Sequence, residues 1–141
     1  MTFSHISLPV GSHYVAMRDF YIAALKPLGY EVKLGNGEGQ DFCGLGTKLS
    51  GPVFWLGLGA NNKTLPKYNG RLETRIAPIH LAFNAISPEE VDEWYEVAIK
   101  SGGIDNGKPG KRQYSRDFYA AFVLDPLGNN IEVLHMLKEK A

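Results

Sequence analysis

The sequence predicts an α+β fold made of two βαβββ modules, and three observations predict it. A strand, a helix and further strands follow one another in that order twice along the chain. Each copy opens on a strand that carries one histidine, His5 in the first and His80 in the second. A polar, turn-rich stretch separates the copies, which places module one at about 3–58, a linker at about 59–76 and module two at about 77–136.

The first copy begins with residues 3–9, rich in strand formers and ending at Pro9, which cannot donate to a ladder. Gly11 punctuates, Ser12 is a candidate N-cap, and the pattern then turns helical over 13–28. There Val15, Phe20, Ala23, Ala24 and Leu28 recur at three- and four-residue steps, and Pro27 and Gly29 close the run. Residues 30–34 alternate as a strand. Two more strands follow over 42–46 and 52–58, the second apolar through Val53, Phe54, Trp55 and Leu56.

The second copy begins with an apolar strand over 77–84. Ser87, Pro88, Glu89 and Glu90 then supply a helix start: a serine cap, a proline at the first helical position and acids in the first turn. The helix passes Val91, Trp94, Tyr95 and Ala98 and stops at Gly102 and Gly103. Lys108, Lys111 and Arg112, set among glycines and a proline, read as part of a loop. Strands over 119–124 and 130–136 complete the copy, joined by a turn at Asp125-Pro126-Leu127-Gly128.

Composition narrows the function classes. A chain of 141 residues with 44% hydrophobic and 21% charged residues has the make-up of one folded soluble domain. Fifteen basic and fifteen acidic side chains cancel, so no global field draws in nucleic acid or an anionic membrane. No run reaches the ~20 apolar residues of a membrane helix, and no secretory signal is legible at the amino terminus, so a cytoplasmic protein is expected. Cys43 is the single cysteine, which rules out an internal disulfide, and its neighbours Phe42 and Gly44 offer no base or cation to activate a thiolate.

The phrase Phe118 to Val133, with Asp125-Pro126-Leu127-Gly128-Asn129 followed by Ile131-Glu132, closely resembles the end of a glyoxalase-like module. Phe20-Tyr21 and Pro27-Leu28-Gly29-Tyr30 resemble the first helix of such a module and its exit. Over residues 3–136 the chain resembles the vicinal oxygen chelate superfamily of glyoxalases, bleomycin-resistance proteins and extradiol dioxygenases. That resemblance implies a curved sheet around a central cavity, a small-molecule ligand and a homodimer.

The resemblance also implies a metal site made of His5, His80 and Glu132, a set that suits Zn, Fe, Mn or Ni. Glyoxalase I carries a further Glu or Gln near the position of Trp55. Phe54, Trp55 and Leu56 stand there, which speaks against a reaction that uses that side chain as a base. The enzyme expected is lyase- or isomerase-like, with the metal as Lewis acid and with Glu132 and Tyr119 as catalytic groups. Trp55, Arg112, Tyr114 and Tyr119 are the expected substrate contacts, Trp55 as a cavity wall and the others as partners of an anion or oxyanion. Two readings stand beside it: a metal-free protein that sequesters a planar compound, as in the bleomycin-resistance branch, and a structural relic whose cavity is filled by its own side chains.

Overall fold

The computed structural model describes residues 4–57, 79–112 and 115–136. The first unit runs β1 (Ile6–Pro9), α1 (Tyr14–Ala24), β2 (Glu31–Gly35), β3 (Phe42–Gly46) and β4 (Phe54–Gly57). The second runs β5 (His80–Asn84), α2 (Pro88–Lys100), β6 (Ile104–Arg112), β7 (Ser115–Leu124) and β8 (Asn130–Met136). They form two four-stranded sheets of matching order, β1-β4-β3-β2 and β5-β8-β7-β6. In both, the opening strand lies parallel to the closing one while the other pairs are antiparallel. The predicted repeat of βαβββ is therefore present. The expected linker over 59–76 lies outside the described residues.

Local chemistry accounts for most of the element ends. Ser87 Oγ accepts the Glu90 N–H while the Glu90 carboxylate accepts the N–H of Ile86, the residue before the cap, at 2.7 Å, so the start of α2 is tied in both directions. Helix α1 lacks such a device: His13, not Ser12, occupies its cap position and makes no side-chain cap bond. Its end is sharper than the periodicity suggested. Pro27 confines residues Lys26–Leu28 to a 3₁₀ turn, which Gly29 leaves at φ 76°.

One expected loop is a strand. Lys108, Lys111 and Arg112 lie in β6, whose ladder with β7 is interrupted three times, between Asp105 and Gly107, between Gly107 and Gly110, and between Lys111 and Arg112. β6 is the edge of its sheet, where Pro109 removes no interior hydrogen bond and bulges absorb the glycines. Composition suggested a loop because edge strands tolerate the same residues that loops do.

Strand alternation sends one face of each sheet to the helices. Cys43, Leu45, Phe54 and Leu56 are buried beneath α1, and Val123, Ile131 and Val133 beneath α2. The helices also pack on each other, and Phe20 of α1 reaches the space beside Gly103, where an added Cβ would stand 3.1 Å from its ring. A single core thus spans both units, with Trp94, Tyr21, Phe20 and Phe54 its largest buried side chains. Burial pushes the Cys43 thiol up, in keeping with an inert core cysteine.

The units are also joined by a polar contact. Tyr21 of α1 donates its hydroxyl at 2.7 Å to Asp125, in the turn between β7 and β8. Burial first, and the Asp125 carboxylate second, push the Tyr21 hydroxyl well above its ordinary range. Burial does the same to Tyr14 and Tyr30.

Two outcomes are expected. Tyr21→Phe should lower unfolding free energy by about 1.5–3 kcal/mol in urea titrations, because it deletes a buried hydrogen bond to a carboxylate. In alkali the parent should lose stability as pH climbs above about 10, at up to about 1.4 kcal/mol per pH unit for each raised tyrosine. The sign follows from proton counts: an unfolded tyrosine gives up its proton near that pH while the folded one keeps it, so the unfolded chain binds fewer protons. Tyr21→Phe should show a shallower loss, read from denaturation midpoints at pH 9 and pH 11.

Candidate functional site

The site is built on the face of the second sheet turned away from the helices. The sequence supplies the alternation: in β8, Ile131 and Val133 go to the core, so Glu132 goes the other way. The parallel register sets Glu132 beside Ala82 and Asn130 beside His80. His80 Nε2 consequently stands 3.1 Å from Glu132 Oε2, although the two residues are far apart in sequence. The Glu132 side chain is only 10% exposed and that of His80 is 50% exposed, so the pair has one sheltered member and one open to solvent.

The register of these strands has its own lock. Asn129 Oδ1 accepts the Ile79 N–H at 3.1 Å, and the Asn130 N–H donates to the Ile79 carbonyl at 3.0 Å. Asn129 is itself held by Asp125, which accepts the Asn129 backbone N–H at 2.9 Å and its side-chain amide at 2.7 Å. Asp125 also accepts the Leu127 N–H at 2.9 Å, and Gly128 closes the turn at φ 83°. The Asp-Pro-Leu-Gly-Asn phrase thereby fixes where β5 begins relative to β8.

The ring of His80 has a defined sense. Its Nδ1 lies 3.1 Å from the Asn130 carbonyl oxygen, which can only accept, so Nδ1 carries the proton. In the neutral ring Nε2 then presents a lone pair to a carboxylate oxygen. Two acceptors at that distance need a shared proton or a shared cation. Two donors held about 2.1 Å from one ion, at angles of about 90–110°, stand roughly 3.0–3.4 Å apart. The pair therefore fits two adjacent ligand positions, with the backbone carbonyl as the outer partner that ligating histidines usually have.

The other expected residues divide. His5 makes a 3.1 Å contact through Nδ1 with Ser4 Oγ and is exposed; alternation puts it on the face of Ser7, which pairs with Trp55. Among the described residues no three His, Cys, Asp or Glu side chains converge, so His5 does not join His80 and Glu132 within one protomer. Trp55 is half-buried on the helix-free face of the first sheet, its indole N–H donating to the Pro52 carbonyl at 3.1 Å and its ring lying over Gly44.

Tyr119 lies on the opposite face of the second sheet from Glu132. Its hydroxyl donates to Asp92 of α2 at 2.8 Å, a contact that fastens the helix, and the structure does not bring it to the pair. Tyr114 lies outside the described residues. His135 pairs across with Tyr119 and meets the Ala85 carbonyl at 3.0 Å, also away from Glu132.

Arg112 is occupied by backbone. Its Nη2 donates to the carbonyls of Ala120 and Lys108, the latter at 2.8 Å, and reaches that of Gly107 at 3.5 Å. Its guanidinium sits 4.8 Å from the centre of the Phe122 ring, and that ring in turn stacks on His80 at 6.2 Å with a 24° interplanar angle. Gly107 lies beneath the ring, where an added Cβ would approach it to 3.0 Å. Phe122 is a site residue that sequence reasoning missed. The available signal was its even spacing from Glu132 across a short hairpin, which puts the two on one face once the turn is recognised.

Arg112→Lys, which keeps the charge but loses the planar fork, should loosen the bulged β6–β7 pairing. Amide exchange of the β7 residues around Ala120 should quicken by about tenfold or more, since a hydrogen bond from a charged donor contributes about 1.5–3 kcal/mol.

Comparison with known proteins agrees with this architecture. Residues 2–133 match the Glyoxalase/Bleomycin resistance protein/Dioxygenase superfamily. No curated protein matches the chain. Among solved structures, a glyoxalase/bleomycin resistance protein from Albidiferax ferrireducens T118 is 27% identical with a TM-score of 0.68, over 96% of this chain and 98% of that one. A glyoxalase/bleomycin resistance protein/dioxygenase family enzyme from Burkholderia phytofirmans PsJN is 25% identical with a TM-score of 0.68, over 95% and 98%. Lactoylglutathione lyase from Agrobacterium tumefaciens, 19% identical with a TM-score of 0.60 over 95% and 92%, shares the fold. With the repeated βαβββ sheets already in view, the match over residues 2–133 makes the chain a member of the glyoxalase, bleomycin-resistance protein and dioxygenase superfamily.

Proposed function

We propose that this protein is a metal-dependent enzyme acting on a small molecule with vicinal oxygens, with His80 and Glu132 as two of its metal ligands. The observation that carries the reading is the pair itself, a ring nitrogen and a carboxylate oxygen 3.1 Å apart with the outer ring nitrogen on a carbonyl. Zn, Fe, Mn or Ni would suit the donors. When bound, such an ion supplies Lewis acidity to vicinal oxygens of a substrate. Asn130 holds the His80 ring in its ligating sense, and Phe122 walls the open side of that ring. Glu132, sheltered by its neighbours, is the carboxylate available to hold or move a proton next to the substrate.

His5 enters the same reading through a homodimer. It is separate from the pair within the protomer and lies on a face that carries exposed apolar side chains, Leu34 at 56% and Phe42 at 37%, beside Trp55. That face, laid against the second sheet of another copy, would bring the partner's His5 to His80 and Glu132 and cover apolar surface. No helix among the described residues is long and apolar enough to cross a membrane. The unpaired Cys43 suits the reducing cytoplasm, which completes the proposal.

A second reading, a metal-free binding protein, is favoured by Trp55 at the position where a fourth ligand would stand. One experiment separates the two. Protein purified without chelator or histidine tag should carry near-stoichiometric divalent metal by plasma mass spectrometry. His80→Ala and Glu132→Ala should each lower affinity by at least about a hundredfold, as loss of a ligand implies. Mixed dimers of His5→Ala with Glu132→Ala protomers should regain one site in two, because one of the two interfaces then holds an intact set. Metal binding that survives all three substitutions removes the proposed site, and a parent that takes up no ion leaves the binding protein.

A further inference from the structure

β1 and β5 each lie at the edge of a sheet, and among the described residues no ladder joins the two sheets. Where those edges approach, a cavity of about 520 Å³ opens between the units. The first unit supplies Ile6, Tyr30, Val53 and Phe54 to its walls, and the second supplies Leu81 and Phe83. Register sets its side. Ile6 pairs with Phe54, which is buried beneath α1, while Leu81 and Phe83 pair with Ile131 and Val133, which are buried beneath α2. His80 and Glu132 stand on the opposite face, so the cavity is separate from that pair.

Its walls are fixed from behind. Phe83 meets Tyr30 and Phe54 edge-on, with centroids 5.6 and 5.7 Å apart. Val53 is pinned through its backbone: its N–H donates to the Leu45 carbonyl at 3.0 Å, and its carbonyl accepts the Ile6 N–H at 2.9 Å. Thr47 and Ser50, which also line the cavity, close their own turn. Ser50 Oγ accepts the Thr47 N–H at 2.9 Å, and the Ser50 N–H donates to the Thr47 carbonyl at 3.2 Å. A cavity so framed at a junction of two units is preformed, as small-molecule sites usually are.

The lining also sets a chemistry. Among the described residues that line it none carries a charge, and the Thr47 and Ser50 hydroxyls lie 3.3 Å from each other. Tyr30 is the one group there that can ionise, and burial pushes its hydroxyl up, so it stays neutral. An ionised ligand would lose its hydration without gaining a partner. An apolar cavity of about 150 Å³ accepts one benzene ring, so this one has room for roughly two fused rings or a chain of about eight carbons.

We propose that the junction cavity is a second ligand site, distinct from the His80–Glu132 face, that takes one uncharged, largely apolar molecule of that size. Such a ligand touches both units at once, so its binding strengthens the junction between them. The inference holds whether or not the pair binds a metal.

Primary alcohols test it on the full-length protein. Butanol, hexanol and octanol are titrated while the methyl resonances of Ile6, Val53 and Leu81 are followed by NMR. Affinity should rise by up to about fourfold per methylene. Octanol should give nuclear Overhauser contacts to those three side chains and raise the midpoint of thermal unfolding. Octanoate and octylammonium, which put a charge on the same chain, should bind at least about tenfold more weakly than octanol. Val53→Phe, which fills the cavity from the first unit, should abolish the chain-length gain, and Leu81→Phe should do so from the second. The Overhauser contacts in the parent protein decide the matter should neither variant fold. Contacts that fall instead on the exposed Leu34 side chain, equal affinity for butanol and octanol, or equal or tighter binding of either ion overturns the proposal.

Discussion

The fold and the candidate site both hang on the buried carboxylate of Asp125. Its two oxygens accept four hydrogen bonds, from the Tyr21 hydroxyl, the Leu127 and Asn129 backbone and the Asn129 side chain. A buried carboxylate is costly unless its lone pairs are satisfied, so the turn can close only in the conformation that supplies these donors. The same group thus sets the turn between β7 and β8, orients Asn129 toward β5 and anchors α1 of the first unit. The strand that Asn129 holds is also the strand that carries His80.

From that anchor the chemistry follows by register. Parallel pairing of β5 and β8 places a histidine from the start of one strand diagonally across from a glutamate of the other. Antiparallel pairing of β8 and β7 adds Phe122 on the glutamate's far side. The result is a short row on one face, from Arg112 through Phe122 to His80 and Glu132. Arg112 serves this row from behind. Its guanidinium closes the bulged edge by holding carbonyls, and its flat face backs the aromatic ring. An arginine so engaged with backbone has little freedom to meet a substrate anion, and its role is to keep the edge strand in place.

The two sheets are alike in topology and unlike in surface. The helix-free face of the second sheet carries His80 and Glu132, whereas that of the first carries Leu34, Phe42 and Trp55. The backbone is repeated while the side chains on the two helix-free faces diverge, one polar and one apolar. On the helix side the two units meet through aromatic packing, Phe83 against Tyr30 and Phe54.

The sequence by itself determined the repeat of strand, helix and strands, the cap of α2 and the Asp-Pro-Leu-Gly-Asn turn. These depend on spacing, caps and turn residues, all of which act within a few positions. It misplaced Lys108, Lys111 and Arg112 in a loop, because a bulged edge strand has a loop's composition. Tyr119 was expected beside the substrate, yet only the pairing of β7 with its neighbours shows that its hydroxyl points at α2. Which distant groups meet was left to tertiary structure: His80 with Glu132, Tyr21 with Asp125, and Arg112 with three carbonyls. The reason is physical. Alternation and turn chemistry are local properties of a chain, whereas a meeting of residues far apart in sequence exists only after strands pair in one register and helices pack across one core.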